Sequence, residues 1–249
     1  MNGRRVVYGL HAVTAALKRR PQTVFEVFLD AGRGDPRARR VADLAKAAGV
    51  RLHETDAARL DGFAKGGRHQ GVAAFVEEVA LAASLEEVLG DLAEPAFLLV
   101  LDGVQDPHNL GACLRVADAM GVQALIAPKD RATGLNATVH KVASGAVQSV
   151  PFLAVTNLAR TLRELKDKGI WVVGAAGGEA GTLFDAKLSG PLALVLGAEG
   201  EGMRRLTRET CDELVSIPMM GQVESLNVSV AAGICLYEAR RQRFALSSR

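Results

Sequence analysis

The sequence predicts an α/β protein in which a mostly parallel sheet is covered by helices on both faces and joined to a smaller amino-terminal α/β domain. From residue 96 onward, short apolar runs alternate with segments whose apolar residues recur every three or four positions, as in repeated strand–helix units. The formal charge changes sign along the chain. Residues 1–76 carry 14 Lys and Arg against 7 Asp and Glu, a net of +7, whereas residues 77–249 carry 16 against 21, a net of −5. Between the two parts an acidic, alanine-rich stretch poor in β-branched residues reads as a connector. Three parts follow: a first domain over 1–76, a connector over 77–95 and a second domain over 96–249.

In the first domain, Leu10, Val13, Ala16 and Leu17 share one face of a helix over 9–20, which ends in Lys18, Arg19, Arg20 and Pro21. A strand over 24–29 follows. Pro36 opens and Gly49 closes a basic helix over 36–48, and a strand resumes at 50–53. The polar loop 66–71 leads into a strand over 72–76. A helix over 84–92, capped by Ser84, lies in the connector. The second domain then offers strands over 97–101, 124–127, 152–155, 170–173, 192–196 and 213–217. Helices are expected over 110–120, 136–146, 158–168 and 203–210, with a last one from Val228 whose N-cap is Ser225 or Asn227.

Several classes of function are excluded by composition. Cys113, Cys211 and Cys235 stand far apart with no CxxC spacing, so they read as reduced apolar residues rather than disulfides or zinc ligands. The five histidines form no cluster with ligand spacing, and no metal is assigned. Neither a signal peptide nor an apolar run of about 18 residues occurs, which points to a soluble cytoplasmic protein. The basic first domain points to a polyanionic partner.

In open α/β sheets, ligands bind beyond the carboxyl ends of the strands. Three loops there carry chemistry. The first runs from Asp102 to Gly111, with Asn109 in it and Arg115 on the helix behind. Arginine offers a fixed fork of donors for carboxylate or phosphate oxygens, although pairing with Asp118 on the surface is the plainer role. The second, from Gly197 to Gly202, superficially resembles a dinucleotide fingerprint, yet its glycines are not spaced GxGxxG and Glu199 and Glu201 would repel pyrophosphate. It suits a ligand without phosphate. The third, after Ile217, carries Gly221, Glu224, Ser225, Leu226 and Asn227.

Taken together, Asp106 to Gly111 with Arg115, the run Leu196 to Met203, and Ile217 to Met219 with Ser225 to Ser229 resemble the three motifs of the SpoU, or TrmH-like, RNA ribose 2′-O-methyltransferases. The segments VYGLHAV and HQGVAA resemble the substrate-binding domain attached to one branch of that family, and the chain as a whole is similar to the bacterial members that act on 23S rRNA guanosine in the peptidyl-transferase region. This resemblance implies S-adenosylmethionine as methyl donor, a homodimer, and a trefoil knot through which the carboxyl-terminal segment is threaded. Pattern arguments alone disfavour such a knot. By position, the resemblance places the cofactor at Gly197, Ile217 and Leu226, and the catalytic surround at Asn109, Arg115, Glu199, Ser225 and Asn227. Arg115, oriented by Glu199, would stabilise a developing alkoxide or clamp a neighbouring phosphate, because a guanidinium holds its proton too tightly to act as a base.

A 2′-hydroxyl target makes RNA the substrate, either 23S rRNA or a large-subunit assembly intermediate, with Arg37, Arg39, Arg40 and Arg68 as candidate RNA contacts. Competing readings are a tRNA ribose methyltransferase, a non-catalytic rRNA-binding assembly factor and a nicotinamide or flavin oxidoreductase. The amino-terminal domain, the intact motif residues and the missing phosphate fingerprint count against them respectively.

Overall fold

A computed structural model describes residues 4–19, 21–64, 66–77, 84–90, 92–179 and 181–247. Arg20 of the first basic helix, and residues 78–83 and 91 of the connector, lie outside these. The chain divides into two compact units, Met1–Ala80 and Leu81–Arg249.

The first unit contains β1 (Arg4–Tyr8), α1 (Leu10–Arg19), β2 (Val24–Asp30), α2 (Pro36–Ala47), β3 (Arg51–Thr55), α3 (Ala57–Ala64) and β4 (Val72–Glu77). Its sheet has the order β1-β4-β2-β3, with β4 antiparallel to β1 and β2, and β2 parallel to β3. Val13 and Leu17 of α1 and Val41 and Ala45 of α2 pack on Val27, Val72 and Ala74 of the sheet. On α3, Leu60 forms a second cluster with Phe28 and Ala73. Asp35 caps α2, its carboxylate accepting from the backbone N–H of Arg37 and Ala38, with Pro36 in the first turn. Sequence reasoning missed β1 and α3. Two arginines open β1, and the short α3 alternates charge and apolarity too irregularly to show a period.

The second unit opens with α4 (Leu85–Gly90), which Ser84 caps by accepting from the Glu87 N–H at 3.2 Å. Although it falls in the stretch read as a connector, its Leu85 and Val88 join the core cluster that contains Leu98 and Val100. Then come β5 (Phe97–Asp102), α5 (Pro107–Met120), β6 (Ala124–Pro128), α6 (Ala137–Val142), β7 (Phe152–Val155), α7 (Leu158–Asp167) and β8 (Trp171–Ala175). They are followed by β9 (Gly181–Thr182), β10 (Leu192–Gly197), α8 (Arg205–Thr210), β11 (Glu213–Ser216) and α9 (Val228–Ser247). The sheet order is β7-β6-β5-β10-β8-β11-β9, and every pairing is parallel.

Burial on both faces explains the uninterrupted apolar strands. Along β5, Phe97, Leu99 and Leu101 face the cluster shared with α5, α6 and α9, while Leu98 and Val100 face the one shared with α4 and α7. Asn157 caps α7 and Gly169, at φ 77°, ends it, as the sequence suggests. Two expected helices are shorter than predicted. The one over 136–146 stops at Val142, because Ser144 and Gly145 turn left-handed at φ 50° and 96°. The one over 203–210 begins only at Arg205, because Arg204 is extended and its N–H is bound elsewhere.

β10 lies between β5 and β8 although it follows both in the chain. The carboxyl ends of β5, β10, β8 and β11 therefore stand side by side, and four loops meet there.

Candidate active site

Those strand ends frame a cleft of about 350 Å³. One wall is the backbone from Gly197 to Gly202 after β10, another is Ala175 to Gly177 after β8, and the loop after β11 contributes Ile217, Met219 and Glu224 to Leu226. Val228 and Ala231 of α9 close it. Glu199 and Glu224 are the charged side chains on this lining, which contains no Lys or Arg. Such a surface repels phosphate and accommodates a cationic or neutral ligand.

The β10 loop folds back sharply. Ala198 and Gly202 bond to each other in both directions, at 3.1 and 2.8 Å, and Gly200 and Gly202 adopt φ of 81° and 68°. A side chain at Gly197 would collide with the backbone of Gly202 and Met203. At the base of this loop Asp102, the last residue of β5 and 1% exposed, accepts from Arg204 through the backbone N–H at 2.8 Å and through Nε at 2.6 Å.

Three expected site residues meet in one hydrogen-bonded chain. Asp106 caps α5 and so presents Asn109 in the first turn, while Asn227, not Ser225, caps α9 by accepting from Ser229 N–H and Oγ at 2.9 and 2.6 Å. The Asn227 Nδ2 then donates to Asn109 Oδ1 at 2.9 Å and to Glu199 Oε2 at 3.3 Å. The Asn227 amide is thereby fixed at both ends.

Gly197, Ile217, Leu226, Ser225 and Glu199 all line the cleft; Asn109, Asn227 and Arg115 do not. Arg115 is exposed on α5 and has no ion pair among the described residues. Glu199 is engaged with Asn227 instead of with Arg115. In the first unit, Arg37, Arg39 and Arg40 are exposed along α2, and Arg68 is exposed in the loop before β4. Sequence reasoning missed the β8 wall, the α9 wall and the Asp102–Arg204 pair. The rule that singled out the other loops also covers residues 175–178, where Ala-Ala-Gly-Gly follows a strand, so the β8 wall carried a usable signal. A carboxylate and an arginine 102 residues apart carry none.

Fold and site together define an α/β protein whose strand ends frame a cleft with carboxylates and no basic side chain on its lining, beside a fixed amide–carboxylate chain. The SpoU rRNA Methylase family matches residues 96–237, and the RNA 2′-O ribose methyltransferase substrate binding family matches residues 6–82. The chain belongs to the SpoU rRNA Methylase family. It is 58% identical, over 98% of both chains, to the 23S rRNA (guanosine-2′-O-)-methyltransferase RlmB of Ralstonia nicotianae. The protein of that name from Nitrosomonas europaea is 59% identical over 97% of this chain and 93% of its own. Among solved structures, the SpoU methyltransferase AviRb from Streptomyces viridochromogenes in complex with the cofactor AdoMet is 25% identical, with a TM-score of 0.67 over 98% of this chain and 92% of that one.

Proposed function

We propose that this protein transfers a methyl group from S-adenosylmethionine to the ribose 2′-hydroxyl of a guanosine in 23S rRNA. The observation that carries the proposal is the Asn109–Asn227–Glu199 chain beside a cleft lined by carboxylates and glycine backbone, in a protein similar over its full length to 23S rRNA guanosine methyltransferases. The lining fits S-adenosylmethionine, which has no phosphate and carries two cationic centres. Gly197, Ile217 and Leu226 would hold it through backbone groups, with Glu199 and Glu224 complementing its charge. When bound, it supplies a methyl group on an electrophilic sulfonium.

The chain's own task is to place the hydroxyl in line and ease loss of its proton. Arg115 stabilises the oxygen as charge develops on it, or clamps the adjacent phosphate, and the proton leaves to water or to a substrate phosphate. Asn109 and Asn227 fix the loops around the ribose, Glu199 holds the Asn227 amide, and Ser225 offers a hydroxyl at the cleft wall. Residues 1–76 supply RNA affinity through Arg37, Arg39, Arg40 and Arg68, and 96–249 carry the chemistry.

The working form is a cytoplasmic homodimer, with the carboxyl-terminal segment threaded in a trefoil knot. Support for self-association comes from α9, where Val230, Ile234 and Tyr237 form an exposed apolar stripe at helical spacing. Support for a cytoplasmic site comes from the rRNA substrate. Incubation with unmodified 23S rRNA fragments tests the activity: ribose-containing fragments should accept methyl, and the same fragments with 2′-deoxy at the target should not. Equal labelling of both would refute ribose methylation.

A further inference from the structure

We infer that Asp102 and Arg204 are positioning residues that hold the Glu199 loop in its cofactor-binding shape. This rests on the cofactor reading above and identifies what keeps that wall of the cleft in place. Taking a carboxylate out of water is costly unless its lone pairs are filled by well-placed donors. At Asp102 one residue supplies three of them. Oδ2 accepts from the Arg204 backbone N–H at 2.8 Å, and Oδ1 accepts from Nε at 2.6 Å and lies 2.5 Å from Nη2.

The placement of that pair matters more than its strength. Gly197 is in parallel register with Asp102, so the loop leaves the sheet beside Asp102, and Arg204 brings it back to the same residue. Residues 198–203 therefore form a closed lasso with both ends fixed at the end of β5. Five of the residues from Gly197 to Gly202 line the cleft, and Glu199 at its crest reaches Asn227. Without the clamp, the described hydrogen bonds left within the lasso are the Ala198–Gly202 bridge and the 3.3 Å Asn227–Glu199 bond, and of its side chains Met203 at the far end packs into the core while residues 199–202 are exposed. A short exposed loop held so loosely samples other shapes, and apparent affinity falls in proportion to the competent fraction. A pair that only stabilised the fold would lower the melting temperature and leave the affinity of folded molecules unchanged.

The experiment combines calorimetric titration of the full-length protein with S-adenosylmethionine and amide hydrogen exchange of the lasso without it. Asp102→Asn is expected to weaken binding by about tenfold or more, and Arg204→Gln, which keeps the backbone donor, by about threefold. The double variant should be no weaker than Asp102→Asn alone, because both changes break one clamp. Exchange at the Gly202 amide should quicken in the same order. Should Asp102→Asn fail to fold, Arg204→Gln and Arg204→Lys carry the same test, since neither retains the guanidinium fork. Unchanged affinity and unchanged Gly202 exchange in folded variants, or effects that multiply in the double variant, would overturn the inference. Wild-type protein that does not bind S-adenosylmethionine, with Gly202 exchange still quickened in the variants, would sink the cofactor reading and support the clamp.

Discussion

The side-chain amide of Asn227 donates to Asn109 Oδ1 across 2.9 Å, joining the first turn of α5 to the cap of α9 over 118 residues of sequence. Asn227 has two separable duties, because its oxygen caps α9 while its nitrogen reaches Asn109 and Glu199. Asn227→Asp keeps the capping oxygen but removes the donor and places a carboxylate beside Glu199. It should melt close to wild type and lose methyl transfer. Asn227→Ala should lose both, with a stability cost of about 1 kcal/mol from the missing cap. Thermal unfolding and methyl-transfer assays on the two variants separate these duties.

Arg115 provides a second test. A lysine keeps the charge and loses the planar fork. If the fork grips the phosphate or the developing alkoxide, Arg115→Lys should reduce kcat by about 100-fold while S-adenosylmethionine binds as before. Calorimetry and single-turnover kinetics measure the two effects, and near-normal kcat would reduce Arg115 to a point charge.

Much of the second unit was legible before any coordinates. Doubly covered parallel strands are apolar at nearly every position, so β5, β6 and β10 stood out as short apolar runs, and Asn157 and Gly169 marked the ends of α7 through local chemistry. Helix ends set by tertiary contacts were not legible. Arg204 stays out of α8 because its N–H goes to Asp102, a partner that no local window contains. The family resemblance singled out Asn109, Glu199 and Asn227, but only the fold shows that Glu199 accepts from Asn227.

Cysteine titration gives a pH-dependent outcome. Burial pushes the thiols of Cys113 and Cys235 up to about 12, and burial together with Asp212 pushes Cys211 up to about 11, from an ordinary 9.0. Each raised value means that the fold favours the neutral thiol. That contribution is fully present below pH 9 and is lost as pH climbs from 9 toward the folded values. At pH 8, Cys113 and Cys235 should resist a chromogenic disulfide reagent until urea unfolds the chain, and melting temperature should fall above pH 9. Rapid labelling of the native protein at those two positions would contradict their burial.

Self-association through α9 is tested by one charge. Ile234 is 39% exposed between Val230 and Tyr237, at 50% and 64%. Wild-type protein should sediment at twice the 26.3 kDa chain mass, and Ile234→Arg at the chain mass, because a desolvated guanidinium without a partner opposes docking. An unchanged dimer in the variant would place the interface on another face.

Transfer of tritiated methyl from S-adenosylmethionine to unmodified 23S rRNA and to bulk tRNA, followed by mapping of the labelled ribose, tests the substrate most directly. Label confined to one guanosine of 23S rRNA is the predicted result. Label in tRNA would contradict the assigned specificity, and label in neither would contradict the proposed activity.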